Sequence, residues 1–171
     1  MNKANDSTLY EFILYNNWAN QQVLQACQNL SEDQLSTKMP GAYGTIRETL
    51  EHIIRGEAGY VRLLTGNRPA PPFKWDDKPS LAEMASYSIQ IGNALVETVK
   101  QIPPTKTIDQ EVDGKKLHYQ ALALFIQIIN HGIEHRTNIT TILNQGLQTP
   151  PEVDGWGYLM SHPDRFGQEG A

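Results

Sequence analysis

The sequence lacks the features that define several large classes of protein. It has one cysteine, Cys27, and a single cysteine excludes an internal disulfide framework. Cys27 lies on an apolar helical stripe, so it is expected to be a packed core side chain and not a nucleophile. The longest apolar run, Ala121–Ile129, contains Gln127 and is too short to span a bilayer. Residues Met1–Tyr10 lack the basic start and apolar stretch of a secretory signal. These absences predict a cytoplasmic protein that does not enter the membrane.

The chain also lacks a surplus of positive charge. Lys and Arg total 14 against 19 for Asp and Glu, which gives a formal net charge of −5. Nucleic-acid binding needs Lys and Arg to neutralise phosphates, and the sequence has no basic stripe. The charge balance therefore argues against a nucleic-acid-binding protein. With 171 residues, of which 39% are hydrophobic, the chain can bury one core, and we predict a single domain over residues 1–171.

Helical periodicity is what the sequence does contain. Almost no strand pattern is present, although Asp113-Gly114 is a hairpin-type turn signal. Four segments repeat apolar residues at helical spacing, and this predicts an all-α four-helix bundle with long inter-helix connections. The segments run from about Ser7 to Leu30, from Thr45 to Gly66, from Ser80 to Pro103, and from about Tyr119 to Gln145.

Helix starts are marked by capping signals. Asp154 is expected to cap one short C-terminal helix that runs through Met160. The bundle core is predicted to span about residues 7–146, and the polar tail 161–171 is expected to fray. Three capping boxes pair a serine or threonine with a glutamate or glutamine three residues later: Ser31 with Gln34, Thr45 with Glu48, and Ser80 with Glu83.

Two of the five histidines are separated by one helical turn. His131 and His135 stand four residues apart on the last long helix, so their Cβ atoms should lie about 5–6 Å apart on one face. That face flanks the apolar stripe, so both imidazoles point into the bundle. Either each is a core histidine bound to a carbonyl or a carboxylate, or both bind one metal ion as neutral ligands. The spacing alone leaves both interpretations open.

The other histidines carry weaker signals. His52 lies at the edge of the apolar face of the second helix, near Gly56 and Gly59. Glycine within a helix costs about 1 kcal/mol relative to alanine, so a neighbouring helix or a ligand is expected to approach closely there. His118 is a candidate fourth ligand, and His162 is expected to be solvated.

Three motifs together resemble the DinB/YfiT-like family. Asn130–Arg136 resembles its N-H-x-x-x-H-R signature, and Thr49–Ile53, which contains His52, matches a second motif. Tyr15–Asn20 matches a third motif in the first helix. The chain departs from the family pattern after the signature, where members often carry Gly-Gln and this sequence has Thr137-Asn138.

The resemblance implies a four-helix bundle, commonly a homodimer, that holds one divalent metal ion. Carried over position by position, the ligands are His52, His131 and His135. Nickel or zinc is the usual metal of such proteins, and iron or copper also suits imidazole ligands. Characterised members include transferases and isomerases that use low-molecular-weight thiols. The resemblance therefore favours an enzyme whose metal activates a small thiol or water for attack on an electrophilic small molecule.

Five further residues are candidates for the pocket or for contacts with the ligands. Glu57 lies in the middle of an apolar stripe and could orient a metal-bound histidine or pair with a buried arginine. Asn16 and Asn20 share the stripe of the first helix, where they could line a pocket or bond across the core. Trp18 could form a pocket wall or simply pack. Arg136 could hold a substrate carboxylate or anchor a neighbouring helix.

Other functions remain open. One is a bundle that binds a metal or a small ligand without turnover, as a sequestering or stress-response protein. Another is a zinc protease, because His131–His135 also reads H-x-x-E-H with Glu134 as the base. Such an enzyme needs a further acidic ligand downstream, and only loop and tail carboxylates follow. A di-iron bundle is excluded, since the chain has no paired Glu-x-x-His motifs.

Overall fold

Four long helices form the bundle. The computed structural model describes residues 8–166. The long helices are α1 (Thr8–Cys27), α3 (Ile46–Thr65), α4 (Leu81–Gln101) and α5 (Ala121–Asn144). Three short helices lie between or after them: α2 (Glu32–Leu35), α6 (Gly155–Ser161) and α7 (Pro163–Phe166). Helices α1 and α3 each pack against both α4 and α5, which closes the ring of four and confirms the predicted fold class.

The predicted capping residues form hydrogen bonds at the helix N-termini. Ser31, Thr45 and Ser80 each accept a hydrogen bond from the third helical N–H, and the glutamate or glutamine at that position bonds back. The side chain of Asp154 likewise accepts a hydrogen bond from the N–H of Gly157 at the start of α6. Gly66 ends α3 with φ 83°, a left-handed conformation that glycine adopts without strain. Short-range hydrogen bonds therefore fix where most helices begin and end.

One continuous core lies between the four long helices. Its centre is formed by apolar side chains such as Ile13, Ile91 and Ile128, all fully buried. Cys27 belongs to the same core, and burial raises the pKa of its thiol to about 12, as expected of a packed side chain. In the part of the chain that the structure describes, no helix is both long enough and apolar enough to cross a bilayer.

A β-hairpin is the main departure from the all-helical prediction. Strand β1 (Thr107–Val112) pairs antiparallel with β2 (Lys115–Gln120). Asp113 and Gly114 form its turn with φ of 50° and 74°, as a tight two-residue turn requires. The turn signal was correct, but most hairpin side chains are exposed, so the strands show no apolar alternation. Helix α5 consequently begins after the hairpin and not at Tyr119.

The C-terminal segment returns to α1. Glu11 accepts a hydrogen bond from the hydroxyl of Tyr158 at 2.7 Å and pairs with Arg165 at 2.6 Å. The ring of His162 lies against Trp18 and Tyr158 and is half-buried, where the sequence predicted a solvated side chain. Residues 161–166 are thus held by contacts. Residues 167–171 lie outside the described residues, as does Ser7, so fraying of the tail stays a prediction there.

Candidate metal centre

Helix packing brings three histidines together. His131 and His135 lie one turn apart on α5, and His52 lies on α3, which packs against α5. One ring nitrogen from each histidine lies within 4.8 Å of the others. The Nε2 atoms of His52 and His131 are 3.0 Å apart. His131 and His135 are buried, with 6% and 7% of their surface exposed.

This spacing fits the donor set of a divalent metal. Imidazole nitrogens bind zinc at about 2.0–2.1 Å, so two ligands of one ion lie roughly 3.0–3.4 Å apart. The Nε2–Nε2 distance of 3.0 Å between His52 and His131 falls at the short end of that range. In the absence of an ion the same distance suits a hydrogen bond between one protonated and one free nitrogen. The three rings therefore have the type of ligand atom that such an ion prefers, and the His52–His131 pair also has the spacing.

Burial keeps the three rings in the form that binds metal. Desolvation lowers the pKa of His131 to about 4, and the neighbouring His135 and His52 lower it further as like charges. The pKa values of His52 and His135 are also lowered, again chiefly by burial. All three imidazoles are consequently neutral near pH 7, with a lone pair available to an electrophilic ion.

The alternative of two ordinary core histidines predicts a protein acceptor for each ring. The Nδ1 atoms of His131 and His135 are buried and have no hydrogen-bond partner among the described residues. An unpaired buried polar atom costs about 1–3 kcal/mol, so rings held only for packing would be expected to find one. The structure therefore lacks the acceptors that the core-histidine interpretation predicts at these two Nδ1 atoms.

Two tyrosines border the histidines. Tyr43 stacks on His52 with ring centroids 4.0 Å apart and meets His135 edge-on at 5.1 Å. Tyr60 meets His131 edge-on at 5.7 Å. Sequence reasoning missed Tyr43, which lies in the connection between α2 and α3 and belongs to no motif. Its only signal was an aromatic residue within the segment Gly41–Gly44, just before the helix that carries His52.

The close approach expected at the glycines of α3 is made at Gly56 by the imidazole ring of His131. A Cβ placed on Gly56 would lie 2.9 Å from Cε1 of His131, which is closer than side chains tolerate. A Cβ placed on Gly59 would meet nothing within 4 Å. Gly56 is therefore the position where α3 makes room for the imidazole of α5.

Comparison with known proteins identifies the family of this chain. A sequence model of the DinB family matches residues 1–169. The chain belongs to the DinB family. Protein DinB of Bacillus subtilis (strain 168) is similar to it, with 22% identity over 162 residues, or 89% of this chain and 92% of that protein. The resemblance inferred from the three motifs is thereby confirmed for this DinB family member.

Four of the remaining candidate residues form a buried network behind the histidines. Oε1 of Glu57 accepts hydrogen bonds from the side-chain amides of Asn16 at 2.7 Å and Asn20 at 2.8 Å. Nη1 of Arg136 donates to the carbonyl oxygens of the same two amides, at 2.8 and 2.7 Å. Burial raises the pKa of Glu57, while these hydrogen bonds and the guanidinium oppose that shift. The network joins α3, α1 and α5 through one bridged charge pair.

This placement favours one of the two roles considered for each residue. Glu57 makes no hydrogen bond to a histidine within residues 8–166, so its role in orienting a ligand stays a prediction. Arg136 is 1% exposed and anchors α5 to α1, which leaves its guanidinium little access to a substrate. Trp18 packs against Tyr15, Tyr158 and His162, and its ring contacts include none of the three clustered histidines.

A matched pair of glycine variants tests the geometry of the centre. Gly56→Ala should displace the ring of His131 and weaken Zn²⁺ binding by on the order of ten-fold. Gly59→Ala, where the added Cβ meets open space, should leave Zn²⁺ affinity unchanged and stabilise the helix by about 1 kcal/mol. Competition with a chromophoric chelator measures the affinity, and thermal unfolding measures stability. Equal Zn²⁺ affinities in the two variants would contradict this geometry.

A second prediction concerns the buried network. Glu57→Gln leaves the charge of Arg136 buried without a counterion and should lower the free energy of unfolding by about 3 kcal/mol. Glu134→Gln, an exposed carboxylate on α5, serves as the control and should change it by less than about 0.5 kcal/mol. Urea denaturation measures both. Similar stabilities for the two variants would show that the bridged pair contributes little.

Proposed function

We propose that this protein is a metal-dependent enzyme in which His52, His131 and His135 hold one divalent ion, nickel or zinc. The observation that supports it is the convergence of three neutral imidazoles from two helices, with no fourth His, Cys, Asp or Glu in the cluster among residues 8–166. Three protein ligands with a free position are typical of catalytic sites, whereas structural sites are usually closed by four.

The reaction that we propose is attack of a small thiol or water on an electrophilic small molecule. A divalent ion held by three imidazoles supplies a Lewis acid that lowers the pKa of a coordinated thiol or water. The chain keeps its histidines uncharged by burial, so they do not compete electrostatically with the ion. The choice of a thiol as cosubstrate follows from the family resemblance, and the aromatic borders at Tyr43 and Tyr60 restrict the approach to small molecules.

The positions of Glu134 and His52 do not support a zinc-protease mechanism based on the H-x-x-E-H motif. Glu134 is exposed, and its charge acts on His52 and His135 only through space, where it opposes the lowering of their pKa values. The third residue of the cluster is His52, far upstream, and not a carboxylate after His135. A Glu134→Gln variant with unchanged metal content and unchanged turnover would remove the protease mechanism.

A second candidate function is a bundle that binds a metal or small ligand without turnover. The observation that favours it is restricted access, since two of the three histidines are more than nine-tenths buried and Tyr43 stacks over the third. Such a protein would sequester its ligand, for example under stress. The same purified protein distinguishes the two candidates, because only an enzyme consumes substrate.

We also propose a homodimer, as the family resemblance implies. Exposed apolar side chains on α1 and α6 offer surface for it: Phe12 is 49% exposed, and Trp156 and Met160 are each 76% exposed. Light scattering on the purified protein measures the mass directly.

Metal analysis tests the proposed centre. Wild-type protein dialysed against Zn²⁺ or Ni²⁺ should retain about one ion per chain, and His52→Ala or His135→Ala should retain far less. His118→Ala is the matched control, because His118 is exposed on β2 and pairs with Asp109 at 2.6 Å, outside the cluster. It should bind metal like the wild type. Loss of metal in the His118 variant, or retention in the other two, would refute the assignment.

Turnover then separates enzyme from binder. Metal-loaded protein incubated with a panel of low-molecular-weight thiols and electrophiles should consume both reactants, and His135→Ala should not. Consumption is measured by loss of free thiol and by mass spectrometry of the product. A fully loaded protein that consumes neither would favour the sequestering function.

A further inference from the structure

The connection between α2 and α3 carries an aromatic ring onto the histidine cluster. Tyr43 lies with its ring nearly parallel to that of His52, at 23°, and nearly perpendicular to that of His135, at 77°. Yet 54% of its surface is exposed, and its hydroxyl makes no hydrogen bond to another described residue. A large exposed aromatic side chain with an unused hydroxyl is a common feature of surfaces that bind ligands.

The position of Tyr43 is fixed from two sides. At the base of its connection, Lys38 and Thr45 form an isolated antiparallel bridge. Near the tip, the backbone N–H of Tyr43 donates to Oδ1 of Asn138 at 2.7 Å. Nδ2 of Asn138 in turn donates to the carbonyl oxygen of Glu134 at 2.8 Å, so its amide is held in one orientation. Helix α5, which carries His135, thus also holds the segment whose tyrosine contacts His52 and His135.

Asn138 is one of the two positions directly after Arg136 at which the sequence differs from the pattern that the resemblance implies. Its side-chain amide joins α5 to the Tyr43 connection by hydrogen bonds at the edge of the histidine cluster. Thr137, the other departing position, bonds only to the backbone of its own helix at Ile133. Of the two positions, Asn138 is therefore the one whose side chain contacts the Tyr43 connection.

A cavity opens beside the stacked rings. Its volume is about 550 Å³, within the range of small-molecule sites. Its lining is polar and charged, so a polar small molecule suits it better than an apolar one. The residues that line it are Tyr43, Glu48, Glu51, His52 and Arg55. His52, the one clustered histidine that is not buried, lines this cavity, so the cavity lies on the open side of the cluster.

We propose that Tyr43, held by Asn138, is a positioning residue that fixes the ring of His52 and forms the wall against which a small polar cosubstrate binds. This inference rests on the proposed metal-dependent function. Stacking restricts rotation of the one histidine that comes from α3, which otherwise has the most freedom of the three. The free hydroxyl of Tyr43 is available to a polar group of the bound molecule.

Four variants separate the parts of this proposal. Tyr43→Ala removes the ring, Tyr43→Phe removes only the hydroxyl, and Asn138→Ala removes the support. Thr141→Ala, an exposed position on α5 whose hydroxyl bonds to its own helix, is the matched control. Because Tyr43 is largely exposed, each variant should fold, and thermal unfolding verifies this.

The first measurement is NMR of the histidine rings in metal-free protein, which does not depend on the proposed function. The ring of Tyr43 should shift the carbon-bound protons of His52 upfield. Tyr43→Phe should keep this shift, Tyr43→Ala should abolish it, and Asn138→Ala should reduce it. Thr141→Ala should resemble the wild type. An unchanged His52 signal in Tyr43→Ala would overturn the stacking role even if the protein binds metal.

The second measurement is binding of 2-mercaptoethanol to Co²⁺-loaded protein, followed by the visible spectrum of the ion. We expect Tyr43→Ala and Asn138→Ala to raise the Kd for the thiol by on the order of ten-fold, and Thr141→Ala to leave it unchanged. Equal Kd values in all variants would show that Tyr43 does not form a wall of the thiol-binding site. A wild-type protein that takes up no Co²⁺ would refute the proposed metal centre, while the NMR result would still decide the role of Tyr43.

Discussion

The candidate site depends on how closely α3 approaches α5. The imidazole of His131 lies against the backbone of α3 at Gly56, a position where any side chain would collide with the ring. That contact brings the Nε2 atoms of His52 and His131 to 3.0 Å. A displacement of even one ångström would take the pair out of the range that one ion can bridge. A glycine that weakens its own helix is therefore what allows the three rings to converge.

A buried charge pair fixes the same helices from the other side. Ions inside a protein cost several kcal/mol each unless hydrogen bonds and opposite charge offset the desolvation. Here Asn16 and Asn20 present their N–H groups to Glu57 and their carbonyls to Nη1 of Arg136, so each amide bonds to both charged side chains, while Nη2 of Arg136 has no hydrogen-bond partner among the described residues. The arrangement works only if α1, α3 and α5 keep their relative positions. Because Arg136 directly follows His135, the network also anchors α5 next to one of the clustered histidines.

Local signals in the sequence determined much of this fold. The capping boxes at Thr45 and Ser80 and the stop at Gly66 gave helix ends that the structure reproduces, because each involves residues within one turn. The spacing of His131 and His135 likewise placed two rings on one inward face. The β-hairpin was underestimated, since its exposed strands carry no apolar alternation, although its turn at Asp113 was recognised.

The sequence by itself thus determined the helices, the paired histidines and, through its motifs, the family. Only the tertiary structure decided that His52 meets that pair, that Tyr43 stacks on it, and that Glu57 faces two asparagines. The physical reason is the separation in sequence of the residues that interact. Hydrogen bonds within a helical turn join residues that are close in sequence, whereas the hydrogen bonds between residues 37 to 120 positions apart depend on how whole helices pack.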